Sequence, residues 1–431
     1  MKSPGNGSRR RAGRNFRCAV AALFTGALIA SCTSGPDDGG ETELTIGLFG
    51  DFGYRELYAQ YEKEHPGIRI VERVTAFDDH HTSLATHLAT GRGANDIEAV
   101  ETGYIGRFKS EPGKFVNFLD HGVGAQRDWW LPWKWDQSLS TDGKSQIGLG
   151  TDVGGLAMCY RTDMFEKAGL PTERDEVSAL WPDWNAYFAT GDRYTAGAPA
   201  GTRFFDGGAT VFNAMIGQAR TGYYDDDGNL VVKTNPVVRQ SWDAVTQAIG
   251  KGQSARLTPL TNDWNNGFAE SRFATIPCPS WMTAFIQDQA KSSAGKWDVA
   301  TVPGGSGNWG GSFLTVPEQG DHIDEAVELA RWLTAPEQQK AVFKENGNLP
   351  SQPALYKDPA ITGLVKPFFN DAPVGRIFTE SALKLQPQPQ GPKSGEVMVA
   401  FTNGFNRVEA GTESPDAAWN SVIADIEHGE R

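Results

Sequence analysis

No run of about 20 apolar residues occurs anywhere in the chain, so a conventional transmembrane helix is not expected. Positive charge is in deficit: 40 Lys and Arg face 53 Asp and Glu, a net −13. No basic patch interrupts this excess of acid, which argues against a nucleic-acid binder. No G-x-S-x-G elbow is present, so one common hydrolase signature is missing. The 50 glycines and 24 prolines follow no collagen-like period, and no internal repeat is visible. Cysteine is scarce, at four residues in 431.

What is present points to large packed cores. Hydrophobic residues make up 39% of the chain, with 13 Trp, 23 Phe and 10 Tyr, which excludes a wholly disordered protein. The length implies two or three packed units at roughly 100–200 residues each.

The charge is unevenly placed. Residues 1–31 hold six bases and no acid, leaving 34 bases against 53 acids beyond them, a net −19. The bases precede an apolar stretch, CAVAALFTGALIA from Cys18 to Ala30. A positive start, a short apolar run and small residues before a cut describe an export signal over 1–31; a short membrane anchor is the alternative. No hydrophobic pair follows Arg9-Arg10-Arg11 where a twin-arginine signal needs one. Ile29-Ala30-Ser31-Cys32 resembles a bacterial lipobox, in which Cys32 becomes the lipidated first residue. Residues 32–43 are polar and acidic, as a tether would be. Cys159 and Cys278 then remain. In an exported protein they are expected to form a disulfide, which would contribute on the order of 4–5 kcal/mol in the chain-entropy model. Two buried free thiols are the alternative.

From residue 44 the pattern predicts an α/β fold. LTIGLFG, IRIVERV and DIEAVE read as strands, separated by the amphipathic helices YRELYAQYEKEHPG and HTSLATHLATGRG. That alternation predicts a parallel sheet covered by helices on both faces. Several chemical motifs nearly match. Gly305, Gly307 and Gly310 have dinucleotide-loop spacing, but GGSFLTVP after them reads as a strand where a helix is needed. DDDGN around Gly228 would place Thr234 where a calcium loop needs a carboxylate, so a hairpin turn is expected. Asp78, Asp79, His80, His81 and His87 form a candidate metal cluster, but a solvated helix start accounts for them, and no metal or other cofactor is expected. Trp281 and Trp309 each follow a turn-rich stretch that places a ring at a loop tip, where it would suit the flat face of a sugar.

Taken in order, LTIGLFG, DIEAVE, LGTDVGGLAMCYRTDMFEKAGLP, CPSWMTAF, WDVATVPGGSGNWGGSFLTVP, AVELARWLTAPEQQKAVF and GNLPSQPALYKDP resemble a family 1 extracellular solute-binding protein, the lipid-anchored receptor of a carbohydrate ABC importer. PGGSGNWGGSFLTVP and CPSWMTAF are most similar to cellobiose and cello-oligosaccharide receptors of actinobacteria. The resemblance implies a two-lobed periplasmic-binding-protein-like fold with a hinge and a central ligand cleft. Lobe one would take 44–152 and 304–355; lobe two would take 153–303 and 356–431. It places ligand-binding positions at Asp51, Tyr54, Glu101, Asp152, Trp281, Trp309, Gly310, Gly311 and Arg376. It also implies a non-enzymatic monomer on the outer face of the membrane, with a permease and an ATPase as partners. A xylo-oligosaccharide or another sugar is the alternative ligand. An exported glycoside hydrolase, with Glu101 and Asp152 as acid and base, is the alternative class.

Overall fold

The computed structural model describes residues 41–428. The expected signal segment and Cys32 therefore lie outside the described residues. In chain order the strands are β1 (Thr42–Leu48), β2 (Ile68–Val74), β3 (Ile97–Glu101), β4 (Leu149–Gly150), β5 (Asp152–Val153), β6 (Leu156–Arg161), β7 (Arg203–Phe205), β8 (Phe273–Pro279), β9 (Trp297–Ala300), β10 (Ser312–Thr315) and β11 (Leu349–Pro350).

One sheet has the order β2-β1-β3-β10-β4. β1 runs parallel to β2 and β3, as the alternating pattern predicts. The first helix, Arg55–Glu64, buries Leu57, Tyr58 and Tyr61 and ends just before Pro66. The second, Phe77–Thr90, stops at Gly91, whose φ of 68° suits a residue without a Cβ. The sheet departs from the sequence expectation at β10, which pairs antiparallel with β3 and β4. β10 arrives from more than 200 residues downstream, so it needs no crossover helix and is free to run the other way.

The second sheet, β7-β8-β6-β9, is mostly antiparallel, with β7 parallel to β8 at one edge. Cys159 on β6 and Cys278 on β8 are bonded, with their Cα atoms 5.4 Å apart, and both are fully buried. Short strands β5 and β11 pair antiparallel where the chain passes from the first sheet towards the second.

Each sheet has its own core. Leu44, Ile46, Leu48, Ile97 and Leu314 belong to one cluster around the first sheet. Met158, Tyr160, Phe204, Phe212, Trp242 and Phe405 belong to another around the second. Trp309 packs against two separate clusters of the second sheet. At DDDGN, Asp225 caps a tight turn bracketed by a Tyr224–Leu230 bridge, as expected of a hairpin turn. After Gly310 the chain enters β10, not a helix. Among the described residues no helix is long and apolar enough to cross a membrane.

Candidate functional site

A cleft with about 750 Å³ of open volume, counted out to solvent, is lined by side chains from sequence-distant segments. β3 supplies the first of them at its end. Glu101 caps the helix Thr102–Phe108, its Oε2 accepting from the Gly103 amide at 2.6 Å. A carboxylate suits that place, because the first amides of a helix have no partner within it. Glu101 is 9% exposed, and burial pushes its carboxyl up to about 7 despite that hydrogen bond and nearby Lys134.

Lys134 belongs to the helix Pro132–Ser138 and is fully buried. Its Nζ lies 3.8 Å from the centre of the Phe313 ring and 3.4 Å from Thr102 Oγ1. Burial pulls its pKa down to about 8, while Asp152 and Glu101 act in the opposite sense. Asp152 is buried beside it and accepts from Thr151 Oγ1 at 2.7 Å and from the Ser312 amide at 2.9 Å. Burial raises the Asp152 carboxyl as well, against the opposing pull of Lys134. Buried Lys134 thus brings a positive charge near both carboxyls, while Asp152 ties β5 to β10 through the Ser312 amide.

The same short helix explains the cluster RDWWLPWKWD. Trp130 and Trp135 are buried in the first sheet's core, whereas Trp133 and Gln137 line the cleft. Trp133 and Gln137 stand four residues apart, one turn along the same helical face. Sequence reasoning missed both, although that spacing within the helix was the available signal. Asn213, Ile216 and Gly217 repeat the device at the end of the helix Gly208–Ile216.

Trp309 reaches the cleft on a glycine-rich loop. Its amide donates to the Gly154 carbonyl at 2.9 Å, and Gly155 bridges Asn308. A Cβ on Gly154 would fall 1.8 Å from the Trp309 carbonyl oxygen, so the loop lies directly on the backbone of the crossing segment. Gly310 and Gly311 follow with φ of 88° and 97°. Gly154→Ala is therefore expected to displace this loop, at a cost of about 1–3 kcal/mol of stability and at least a tenfold loss of ligand affinity. Denaturant melts and a ligand titration read the two effects, and unchanged affinity would show that the loop position does not matter.

Of the residues named from sequence, Glu101, Trp309 and Gly310 line the cleft. Gly311 sits behind them, where an added Cβ would fall 2.8 Å from the Asp152 carbonyl oxygen. Trp281 is not among the lining residues. It packs edge-on against Trp309 at 5.9 Å and 75°, and its Nε1 donates to the Trp309 carbonyl at 3.2 Å. Trp309 thus faces the cleft, with Trp281 standing against it. Tyr54 lies in the core at 3% exposure, because it packs against Phe52 and Tyr58 at the start of the first helix. Asp51 is exposed and caps its own turn through the Gly53 amide. Arg376 lies on an exposed face of the helix Val374–Lys384, outside the lining.

The histidines serve the same framework. His81 Nδ1 faces the Phe77 carbonyl at 2.8 Å, so Nε2 is left to accept from the Glu101 amide at 3.1 Å. Burial pushes its pKa down to about 3, keeping the ring neutral for that role. His80 Nε2 lies 2.7 Å from the Ala99 carbonyl. Among the described residues no group of three or more His, Cys, Asp or Glu is placed to hold a metal ion.

Chemically, the cleft is a surface of rings and amides. Trp133, Trp309 and Tyr223 supply apolar faces; Gln137, Asn213, Asn308, Gln386, Gln388 and Gln390 supply amides. Gln137 Oε1 and Asn308 Oδ1 are buried acceptors with no protein partner. Among the described residues Glu101 is the only carboxylate in the lining, and no Lys, Arg or His joins it. The second carboxyl considered from the sequence, Asp152, is engaged behind the cleft wall with Thr151 and the Ser312 amide.

Residues 56–368 match the family described as Bacterial extracellular solute-binding protein. The chain belongs to this family. An arabinooligosaccharide-binding protein of Bacillus subtilis (strain 168) is 27% identical over 333 residues, covering 72% of this chain and 74% of the relative. A solved extracellular solute-binding protein of family 1 is 42% identical, with a TM-score of 0.79, covering 90% of this chain and all of that one. An ABC-transporter-associated binding protein of B. animalis subsp. lactis Bl-04, solved with β-1,6-galactobiose, superposes with a TM-score of 0.78 at 18% identity, over 90% and 96% of the two chains. The fold is accordingly the two-lobed one of this family, and these relatives are named as binding proteins.

Proposed function

We propose that the protein is a lipid-anchored extracellular receptor that binds a neutral oligosaccharide in the cleft and delivers it to an ABC importer. One observation carries this reading: the lining joins aromatic faces to a row of amides and, among the described residues, contains no cationic side chain. Flat rings suit pyranose and furanose faces, while amides both donate to and accept from hydroxyls. An acidic sugar or a free carboxylate would find no countercharge there.

Cello-oligosaccharides are the favoured ligands, on the likeness of PGGSGNWGGSFLTVP and CPSWMTAF. The relative named for arabinooligosaccharides favours a second reading, a pentose oligomer, in line with the xylo-oligosaccharide alternative. Titrating tryptophan fluorescence with cello-, xylo- and arabino-oligosaccharides separates these, because a sugar on Trp133 or Trp309 changes the signal. No response to any of them would refute the reading.

The lobes we assign are 44–152 with 304–355 and 153–303 with 356–431. Support comes from the sheets: β1 from Leu44 onward, β2 to β4 and β10 fall in the first set, and β6 to β9 in the second. Ligand between them would favour a closed state, since it touches both lobes only there. Anchoring through Cys32 keeps a monomeric receptor beside its permease and ATPase. Cys32→Ala is expected to abolish lipidation and leave the protein out of the membrane fraction; a variant processed and retained like the wild type would overturn the anchor.

A further inference from the structure

A second cavity, with about 700 Å³ of open volume on the same count, lies at the outer edge of the second sheet, away from the residues that line the cleft. β7 forms that edge, and the segment after it in space runs along its free side. The Phe204 amide donates to the Gln253 carbonyl at 2.9 Å, and the Ala255 amide to the Phe205 carbonyl at 2.8 Å. Arg203 opens β7, Arg272 immediately precedes β8, and Arg256 ends the covering segment; all three line the cavity.

In so acidic a chain, three guanidinium groups around one cavity are an exception. Only Arg272 has an acid partner, Asp263 Oδ1 at 2.7 Å. Arg203 donates to the Thr202 carbonyl at 2.9 Å and makes no ion pair among the described residues. Arg256 makes no ion pair there either. Buried Glu409 is near enough to feel its charge, but Glu409 Oε1 is occupied by Ser254 Oγ at 2.6 Å and the Gly208 amide at 2.9 Å. Arg203 and Arg256 are thus two exposed guanidinium groups outside any ion pair among the described residues, with Glu409 acting on Arg256 only at longer range.

The backbone presents one of them in a strained form. Arg256 has a φ of 60°, a left-handed conformation that a non-glycine residue adopts only when its surroundings impose it. Here its amide donates to Ser254 Oγ at 2.9 Å, and Ser254 is itself tied to Glu409. Strain fixed in this way is a common feature of ligand clamps.

We propose that this cavity binds a phosphate-type oxyanion, held by forked contacts from Arg203 and Arg256 with Arg272 at its rim. Guanidinium groups match such oxyanions because two N–H donors reach two oxygens at once. The anion is free in solution or is the headgroup of an anionic phospholipid, and the experiment separates these sources.

The full chain is titrated at low ionic strength with inorganic phosphate, followed by calorimetry and thermal melting. Saturable binding with a rise in melting temperature is expected. Arg203→Gln and Arg256→Gln should each weaken it at least tenfold, while oligosaccharide affinity stays within twofold. Arg256→Gly removes the guanidinium and relieves the left-handed φ, so it should lose phosphate binding without losing stability. Cosedimentation with phosphatidylglycerol vesicles, against phosphatidylcholine vesicles, shows whether a headgroup is also taken. Arginine-dependent binding of phosphate or of phosphatidylglycerol supports the site. Absence of both, or binding unchanged in the arginine variants, overturns it.

Discussion

Trp309→Ala is expected to weaken oligosaccharide binding by about 2–4 kcal/mol, a loss of roughly 30- to 1,000-fold. The ring lines the cleft, and its loop is fixed on three sides. Gly154 accepts its amide, Trp281 donates to its carbonyl, and the Trp281 ring meets it edge-on. A ring so held loses little freedom when a sugar stacks on it, so most of the stacking energy goes into affinity. Trp309 also packs against two cores, and some stability should be lost with it. The loss should be smaller than that of a fully buried tryptophan such as Trp242, for which truncation costs about 3–5 kcal/mol. Affinity and melting measured separately for Trp309→Ala and Trp242→Ala check this. A Trp309→Ala protein that melts early but binds normally would make the ring a core residue.

Lys134→Met should destabilise the folded protein by about 3–5 kcal/mol at neutral pH, because it removes the buried positive charge that offsets two buried carboxyls. The remaining carboxylates of Glu101 and Asp152 would face each other in a dry site. The effect has a predictable pH dependence. Glu101 is raised from 4.5 to about 7 in the folded state, so the stability tied to its protonated form is complete below pH 4.5 and is lost as pH rises through about 7. Losing Lys134 removes a charge that holds both carboxyls down, and so raises them further. The gap between wild type and variant should be widest above pH 7 and narrow towards pH 5. Urea melts across that range measure it; a gap independent of pH would mean that the lysine acts through packing alone.

The strands that carry the first sheet were legible because their sequence is short, apolar and punctuated. IRIVERV follows the helix stop at Pro66 and DIEAVE follows the stop at Gly91, and both appear where expected. β10 was not legible as the antiparallel neighbour of β3, because nothing in SFLT encodes which distant strand it will join. The cleft was partly legible. Glu101 ends a strand and Trp309 sits in a glycine-rich loop, two local signals that survive folding. Arg376 and Asp51 came from the family resemblance alone, and the side chains fall outside the cleft lining in this chain. Trp133 and Gln137 were hidden inside a run of tryptophans, where only helical phase separates cleft from core. In the segment Gln386–Gln390 alternating prolines carry three glutamines along the cleft, and Gln388 is held by the Ile216 and Ala219 carbonyls.

The central claim is that the cleft takes a neutral oligosaccharide and leaves it intact. Calorimetric titration of the purified protein with a panel of cello-, xylo- and arabino-oligosaccharides, followed by chromatography of the recovered sugar, tests it directly. One-to-one saturable binding of at least one neutral oligomer, recovered unshortened, is the predicted result. Shortened products, or binding only of charged solutes, would contradict it.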